Sequence, residues 1–284
     1  MASSSSTVNR SLRSGFWLGW KIESNWADPL LFLIYSVIRP LGSALILVVM
    51  FFAVSGGRRG ALLDFFVVGS AFWPPVLAGL QGLVMAVLED RELWRMTRSV
   101  YTSPISWPTF LIGRSLAVTA SAGLGGVVVT LLAGRLVLGV PVAVSPGDMP
   151  LLVAVLAIGL AGILALGMLT LSGALMAAGD AWHFPEAISA SLYLVSGAIF
   201  PVTVLPAPLQ AVARALPLTW WLEALRRILL PAGARLSFPS ASDGAVLALL
   251  ASTTAAAVMS AAMAFRGAER RARRLGLLDR DSGF

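Results

Sequence analysis

Cysteine is absent from this chain of 284 residues, which excludes disulfides, thiolate nucleophiles and Cys-ligated metals. Lysine and histidine occur once each, as Lys21 and His183. A nucleotide-binding P-loop needs Gly-Lys-Ser/Thr after a glycine-rich turn; Trp20 precedes Lys21, so no such motif exists in this chain. A single histidine cannot build a multi-His metal site. His183 lies in a turn beside Asp180 and Trp182 and reads as a solvated interfacial side chain. Charge is scarce as well: 12% of residues are charged, where a soluble domain carries about 25%.

What replaces charge is apolar surface. Hydrophobic residues make up 57% of the sequence and the mean hydropathy is +0.84. Runs of roughly 20 apolar residues recur, each long enough to cross a hydrocarbon core of about 30 Å. The ~10-residue alternating segments of a transmembrane barrel are not evident. The fold class is therefore an all-α polytopic membrane protein, and its surplus of 21 Lys and Arg over 14 Asp and Glu bears on topology rather than on nucleic acid.

Along the chain, no apolar h-region precedes the first aromatic cluster, so no cleaved signal peptide is expected. Residues 12–24 mix Phe16, Trp17 and Trp20 with Arg13, Lys21 and Glu23, the composition of a helix lying in the membrane interface. Six spans are expected over 30–54, 61–88, 107–138, 151–178, 187–204 and 245–265, the second kinked near Pro74-Pro75. Two apolar pieces within 206–230 are too short to cross and are delimited by Pro206, Pro208, Pro217 and Pro231, which suits a re-entrant pair. Residues 266–284 form a basic tail. Six spans put both termini on one side. With the 89–114 region, that side holds thirteen Lys and Arg against seven on the other, so both termini and the 89–106 loop are expected in the cytoplasm of a multi-pass cell-membrane protein.

Between the second and third spans lies the most densely charged run, Glu89-Asp90-Arg91-Glu92-Leu93-Trp94-Arg95-Met96-Thr97-Arg98, followed by Ser103-Pro104. A charged helix over 89–100 on one face of a bilayer offers a handle to a water-soluble partner; the competing reading is a loop whose charges solvate it and fix topology. Elsewhere the acids lie near span ends, in loops or in the short pieces, which disfavours a self-contained ion-driven carrier. Glu223 has the i, i+3 and i, i+4 spacing of a helical ion pair with Arg226 and Arg227, either structural or with a gating or substrate role. Arg39, near the end of the first span, is either a snorkelling anchor or a substrate contact.

Two motifs carry a resemblance that extends over nearly the whole chain. One is Glu89-Asp90-Arg91-Glu92, Thr97 and Thr102-Ser103-Pro104-Ile105-Ser106. The other runs from Ser196-Gly197-Ala198-Ile199-Phe200-Pro201 through Leu205-Pro206-Ala207-Pro208 and Leu216-Pro217-Leu218-Thr219 to Glu223-Ala224-Leu225-Arg226. Together they resemble the permease subunit of type-2 ABC exporters, the family of small-drug, polysaccharide and teichoic-acid exporters. Many members carry Gly-Thr in the charged helix, whereas Arg95-Met96-Thr97-Arg98 has no glycine.

The resemblance implies a pore formed by two permeases, as a homodimer or a heterodimer, with two cytosolic ATP-binding subunits beneath. ATP and Mg would be bound by those partners and no cofactor by this chain, which is then not itself an enzyme. Glu89, Asp90, Arg91, Glu92, Arg95, Thr97 and Arg98 would couple to the ATPase. Phe200, Pro201, Pro206, Pro217, Glu223 and Arg226 would belong to an outer gate. Tyr35, Arg39, Phe72, Trp73 and Tyr193 would line a path for a lipophilic or amphiphilic cargo. The alternatives are a stand-alone carrier or channel without an ATPase, and a membrane-embedded enzyme, which the single Lys, single His and absent Cys disfavour.

Overall fold

The computed structural model describes residues 2–24, 61–176, 182–231, 233, 234 and 236–276, with isolated positions at 28, 34, 38, 42 and 49. Among the described residues all regular structure is helical. The expected first span at 30–54, with Tyr35 and Arg39, lies outside them apart from those isolated positions.

Helix α1 (Ala2–Ser24) begins ten residues before the expected interfacial helix. Its Ser11–Gly19 stretch is clamped to the start and body of α5 (Trp107–Val118). Small residues make the contact: a Cβ on Gly15 would lie 2.1 Å from the Phe110 carbonyl oxygen, and one on Gly113 2.3 Å from that of Leu12. Close helix approach of this kind favours glycine where lipid supplies no hydrophobic drive to association. The buried Ser11 hydroxyl adds a polar stitch, donating to the Thr7 carbonyl (2.8 Å) and accepting from the Ser106 N–H (2.9 Å). Trp17, 61% exposed, and Trp20 face outward, with Lys21 over the Trp17 ring at 5.2 Å.

Helices α2 (Ala61–Ala71) and α3 (Trp73–Glu92) follow each other with a break at Phe72, ahead of Pro74 and Pro75 in the first turn of α3. Proline lacks the N–H for an internal helix bond but suits a first turn, so the break falls there. A short α4 (Thr97–Thr102) leads to α5, which continues through a π-helical turn (Thr119–Gly123) into α6 (Leu124–Val137). Then come α7 (Met149–Ala174), α8 (Phe184–Val195), α9 (Ala207–Ala215), α10 (Pro217–Leu229) and α11 (Asp243–Arg274), the last capped by the Ser242 hydroxyl accepting from the Ala245 N–H.

Four helical stretches among the described residues are long and apolar enough to cross a membrane: Leu62–Glu92, Trp107–Val137, Pro146–Ala174 and Asp243–Arg274. At 32 residues α11 is about 48 Å long, well beyond what a ~30 Å core needs, and it carries the helix nine residues into the expected tail. α8 is only 12 residues. The expected fifth span continued to 204, but the chain turns at Gly197, whose φ of 78° is left-handed backbone that glycine adopts without a Cβ clash.

Among the described residues, two large packed cores form. One gathers α2, α3, α7 and α11 around α10, with Leu218, Trp221, Leu222 and Leu225 buried at its centre. The other lies at the opposite end of α3 and joins Leu88, Phe110, Leu111, Leu171 and Phe265. In the expected re-entrant stretch at 206–230, α9 is mostly exposed while α10 is buried nearly all round, each begun by a proline, at Pro206 and Pro217 respectively.

Candidate functional site: the charged end of α3 and the polar belt of α10

The run at 89–98 does not fold as one solvated helix. Its first four residues are the last turn of α3, whose 86/89/90 face meets α5. There the Arg114 guanidinium, 3% exposed, donates to the Asp90 carboxylate, to the Ala86 carbonyl (3.1 Å) and to Glu89 Oε2 (3.1 Å). A charge removed from solvent needs such partners, so Asp90 turns inward rather than toward a docking protein. Glu23, at the end of α1, shares this neighbourhood. Desolvation pushes its carboxyl above the usual 4.5, and the charge of Arg114 opposes the rise.

On the next face Arg91 bonds Glu92 (2.8 Å), and the second Glu92 oxygen accepts from the Trp182 indole N–H (2.8 Å). The expected helix over 89–100 is therefore interrupted. The Leu93 and Trp94 N–H groups both bond the Glu89 carbonyl, and that of Met96 bonds the Asp90 carbonyl (2.8 Å). To make that turn Arg95 takes φ 47°, and α4 starts only at Thr97. What the turn presents outward is Leu93 (68% exposed), Trp94 (53% exposed) and Arg95. Thr97 and Arg98 belong to α4 by backbone; their side chains lie outside the described atoms.

The second cluster lies on α10. The Glu223 carboxylate, fully buried, accepts from the N–H groups of Ser237 (3.0 Å) and Phe238 (3.2 Å) and pairs with Arg227 at 3.5 Å. Arg227 goes on to the carbonyls of Ala241 and Phe238 and to Asp243 (2.6 Å). The expected i, i+4 pair is present, but Arg226 points the other way. Its guanidinium lies 3.4 Å over the Phe65 ring and donates to the carbonyls of Phe65 (3.2 Å), Gly197 (2.8 Å) and Ala198 (3.2 Å). Gly69 makes room for this: a Cβ there would lie 1.9 Å from the Ala198 oxygen. Pro201 is buried, and Phe200 packs on the small cluster of Val202, Leu205 and Ala213.

Of the expected path residues, Phe72 is buried edge-on against Trp221 (5.6 Å), and Trp73 packs on Tyr193 (4.4 Å). Sequence reading passed over Arg114 as a partner, although a charge well inside an apolar run demands one. It also passed over Leu93, Trp94 and Trp182, which carry no charge signal.

The family model described as ABC-2 type transporter matches residues 16–230, which includes the charged run at 89–98 and all of α10. A search of curated proteins found no match.

Proposed function

The chain belongs to the ABC-2 type transporter family, a membrane permease component that partners an ABC ATP-binding subunit, and on that premise we propose that it is the permease of an ATP-driven exporter. Export is powered by two copies of a cytosolic ATP-binding subunit, beneath a pore built with a second permease copy in the cell membrane, both termini inside. The observation that supports docking at 89–100 is the Leu93–Trp94–Arg95 turn. It is an exposed aromatic-aliphatic knob with one cation, held rigid by the buried Arg114–Asp90 contact behind it. Trp and Arg are enriched among the residues that dominate binding energy, and a preorganised knob loses little entropy on docking. Of the charged residues named from the sequence, Glu89, Asp90, Arg91 and Glu92 act mainly as the knob's foundation.

The gate assignment rests on α10, buried in the first core, being tied to the Gly197 turn by Arg226 and to the backbone at Ser237 and Phe238 by Glu223. Both side chains are committed to backbone groups, which weakens the stand-alone carrier alternative, since a carrier needs a buried carboxylate free to bind an ion or proton. The mostly apolar and aromatic candidate path supports a lipophilic or amphiphilic cargo.

The test is gentle recovery of the tagged permease from its native membranes. Co-purification of an ATP-binding subunit in the native chain, and its loss in the double variant L93S/W94S with membrane insertion intact, is the expected result. Native protein that never brings such a subunit overturns the reading.

A further inference from the structure

The first and last residues of α3 each hold one end of α8. At the first, the Trp73 ring lies 4.4 Å from that of Tyr193, near the end of α8. At the last, Glu92 Oε2 accepts the 2.8 Å hydrogen bond from Trp182 Nε1, two residues before α8 begins. The two helices thus run antiparallel, joined by a tilted aromatic contact at one end and a charge-assisted hydrogen bond at the other.

Neither partner in that hydrogen bond is a loose surface group. The Glu92 side chain is 15% exposed, with its second oxygen held by Arg91. Trp182 packs on the core shared by α3, α5 and α7. It is also tied stiffly to α8: the Ala187 N–H bonds the His183 carbonyl (3.2 Å), and Pro185 occupies the first turn. Phe184 is wedged into α7, where a Cβ on Gly173 would lie 2.9 Å from its ring. A short bond to a carboxylate is directional and leaves little slack, so displacement of the Glu92 carboxylate carries the indole with it.

We propose that Trp182 is a positioning residue that converts displacement of the α3 end into displacement of α8. This deepens the docking reading and rests on it: a pull at Leu93–Trp94 acts on the residue next to Glu92. The Tyr193–Trp73 ring contact serves as the fulcrum at the far end. A sequence reading sees only a tryptophan in a cytoplasmic turn; the structure makes it a strap between the docking knob and the helix leading into the Gly197 turn and the α9–α10 pair.

The lack of cysteine gives a clean test. Ser191 is exposed on α8, so S191C carries a lone thiol. The permease, in vesicles with its ATP-binding subunit, is labelled with a maleimide before and after vanadate trapping of the nucleotide. Trapping should change the labelling rate of S191C by about two-fold or more, the low end of coupling through one network. S191C/E92Q should respond likewise, because the amide oxygen still accepts the indole N–H. S191C/W182F, which keeps the ring and loses the donor, should bind the subunit and hydrolyse ATP yet show no change. A W182F response equal to that of S191C overturns the strap. Should W182F fail to insert, S191C/E92A removes the acceptor instead, and a retained response there overturns it equally. An S191C parent that binds no ATP-binding subunit overturns the docking reading; one that binds the subunit without responding to trapping overturns the strap and leaves docking standing.

Discussion

The Arg226 guanidinium stacks 3.4 Å over the Phe65 ring and donates to three backbone carbonyls, those of Phe65, Gly197 and Ala198. One side chain thereby ties α10 to α2 and to the turn after α8. Lysine cannot reproduce the planar fork or the stacking. R226K leaves at least one buried acceptor unmatched, which costs about 1–3 kcal/mol. Thermal unfolding of the detergent-solubilised protein should show a clear drop; an unchanged midpoint would refute the clamp.

The buried Arg114–Asp90 contact makes a different prediction. R114M strands the Asp90 carboxylate, and breaking a buried pair costs about 3–5 kcal/mol. The double variant R114M/D90N removes both charges and should recover much of that loss. A double-mutant cycle on unfolding free energies is the check: a coupling below about 0.5 kcal/mol would mean the two groups act independently.

Glu23 gives the same junction a pH signature. Its folded carboxyl holds a proton above the ordinary value of 4.5, because burial disfavours the anion more than the charge of Arg114 restores it. The folded state then binds more protons than the unfolded state between those two values, so this group's contribution to stability falls as pH rises through them and is level above. E23Q cannot ionise. Its stability relative to the native chain should increase as pH rises from about 4 and then plateau. Unfolding midpoints of both proteins across that range decide it; a gap that closes with rising pH contradicts the burial.

The helical membrane class and the stretches 61–88, 107–138, 151–178 and 245–265 were legible because a ~20-residue apolar run has one physical solution in lipid. The proline at the start of α9 and of α10 was legible for the same kind of reason. The role of the 89–98 charges was not. Linear order shows Glu89, Asp90 and Glu92 as equally polar, and only the third dimension brings Arg114 from 24 residues away and Trp182 from 90 to claim them. Arg226 was misdirected by the same limit: i, i+3 spacing offered Glu223, while Phe65, 161 residues distant, was the nearer partner in space.

That rearrangement changes which substitution tests docking. Charge reversal at Glu89 or Glu92 disturbs the contacts to Arg114 and Trp182, so a loss of ATPase stimulation there confounds docking with packing. W94A removes only an exposed ring. A Trp at the centre of an interface typically contributes at least about 2 kcal/mol, so affinity for the ATP-binding subunit should fall about 30-fold while the unfolding midpoint stays within a degree or two. Binding measured by titrating the purified subunit onto nanodisc-held permease gives the number, and unaltered affinity removes Trp94 from the interface.

Arg95 separates backbone from charge in the same turn. At φ 47° a residue with a Cβ is strained by about 1–2 kcal/mol, and a β-branched one by more. Glycine relieves that strain but loses about 0.5–1 kcal/mol through the greater freedom of its unfolded chain. R95G should therefore unfold within about 1 kcal/mol of the native protein, and R95V should be less stable than either. Both variants lose the cation, so both should bind the ATP-binding subunit more weakly, and more so at low ionic strength, where the native charge contributes most. If R95V is as stable as R95G, the left-handed turn does not hold the knob. If R95G binds the subunit as tightly as the native chain at low salt, the exposed guanidinium takes no part in docking and Leu93 and Trp94 carry it alone.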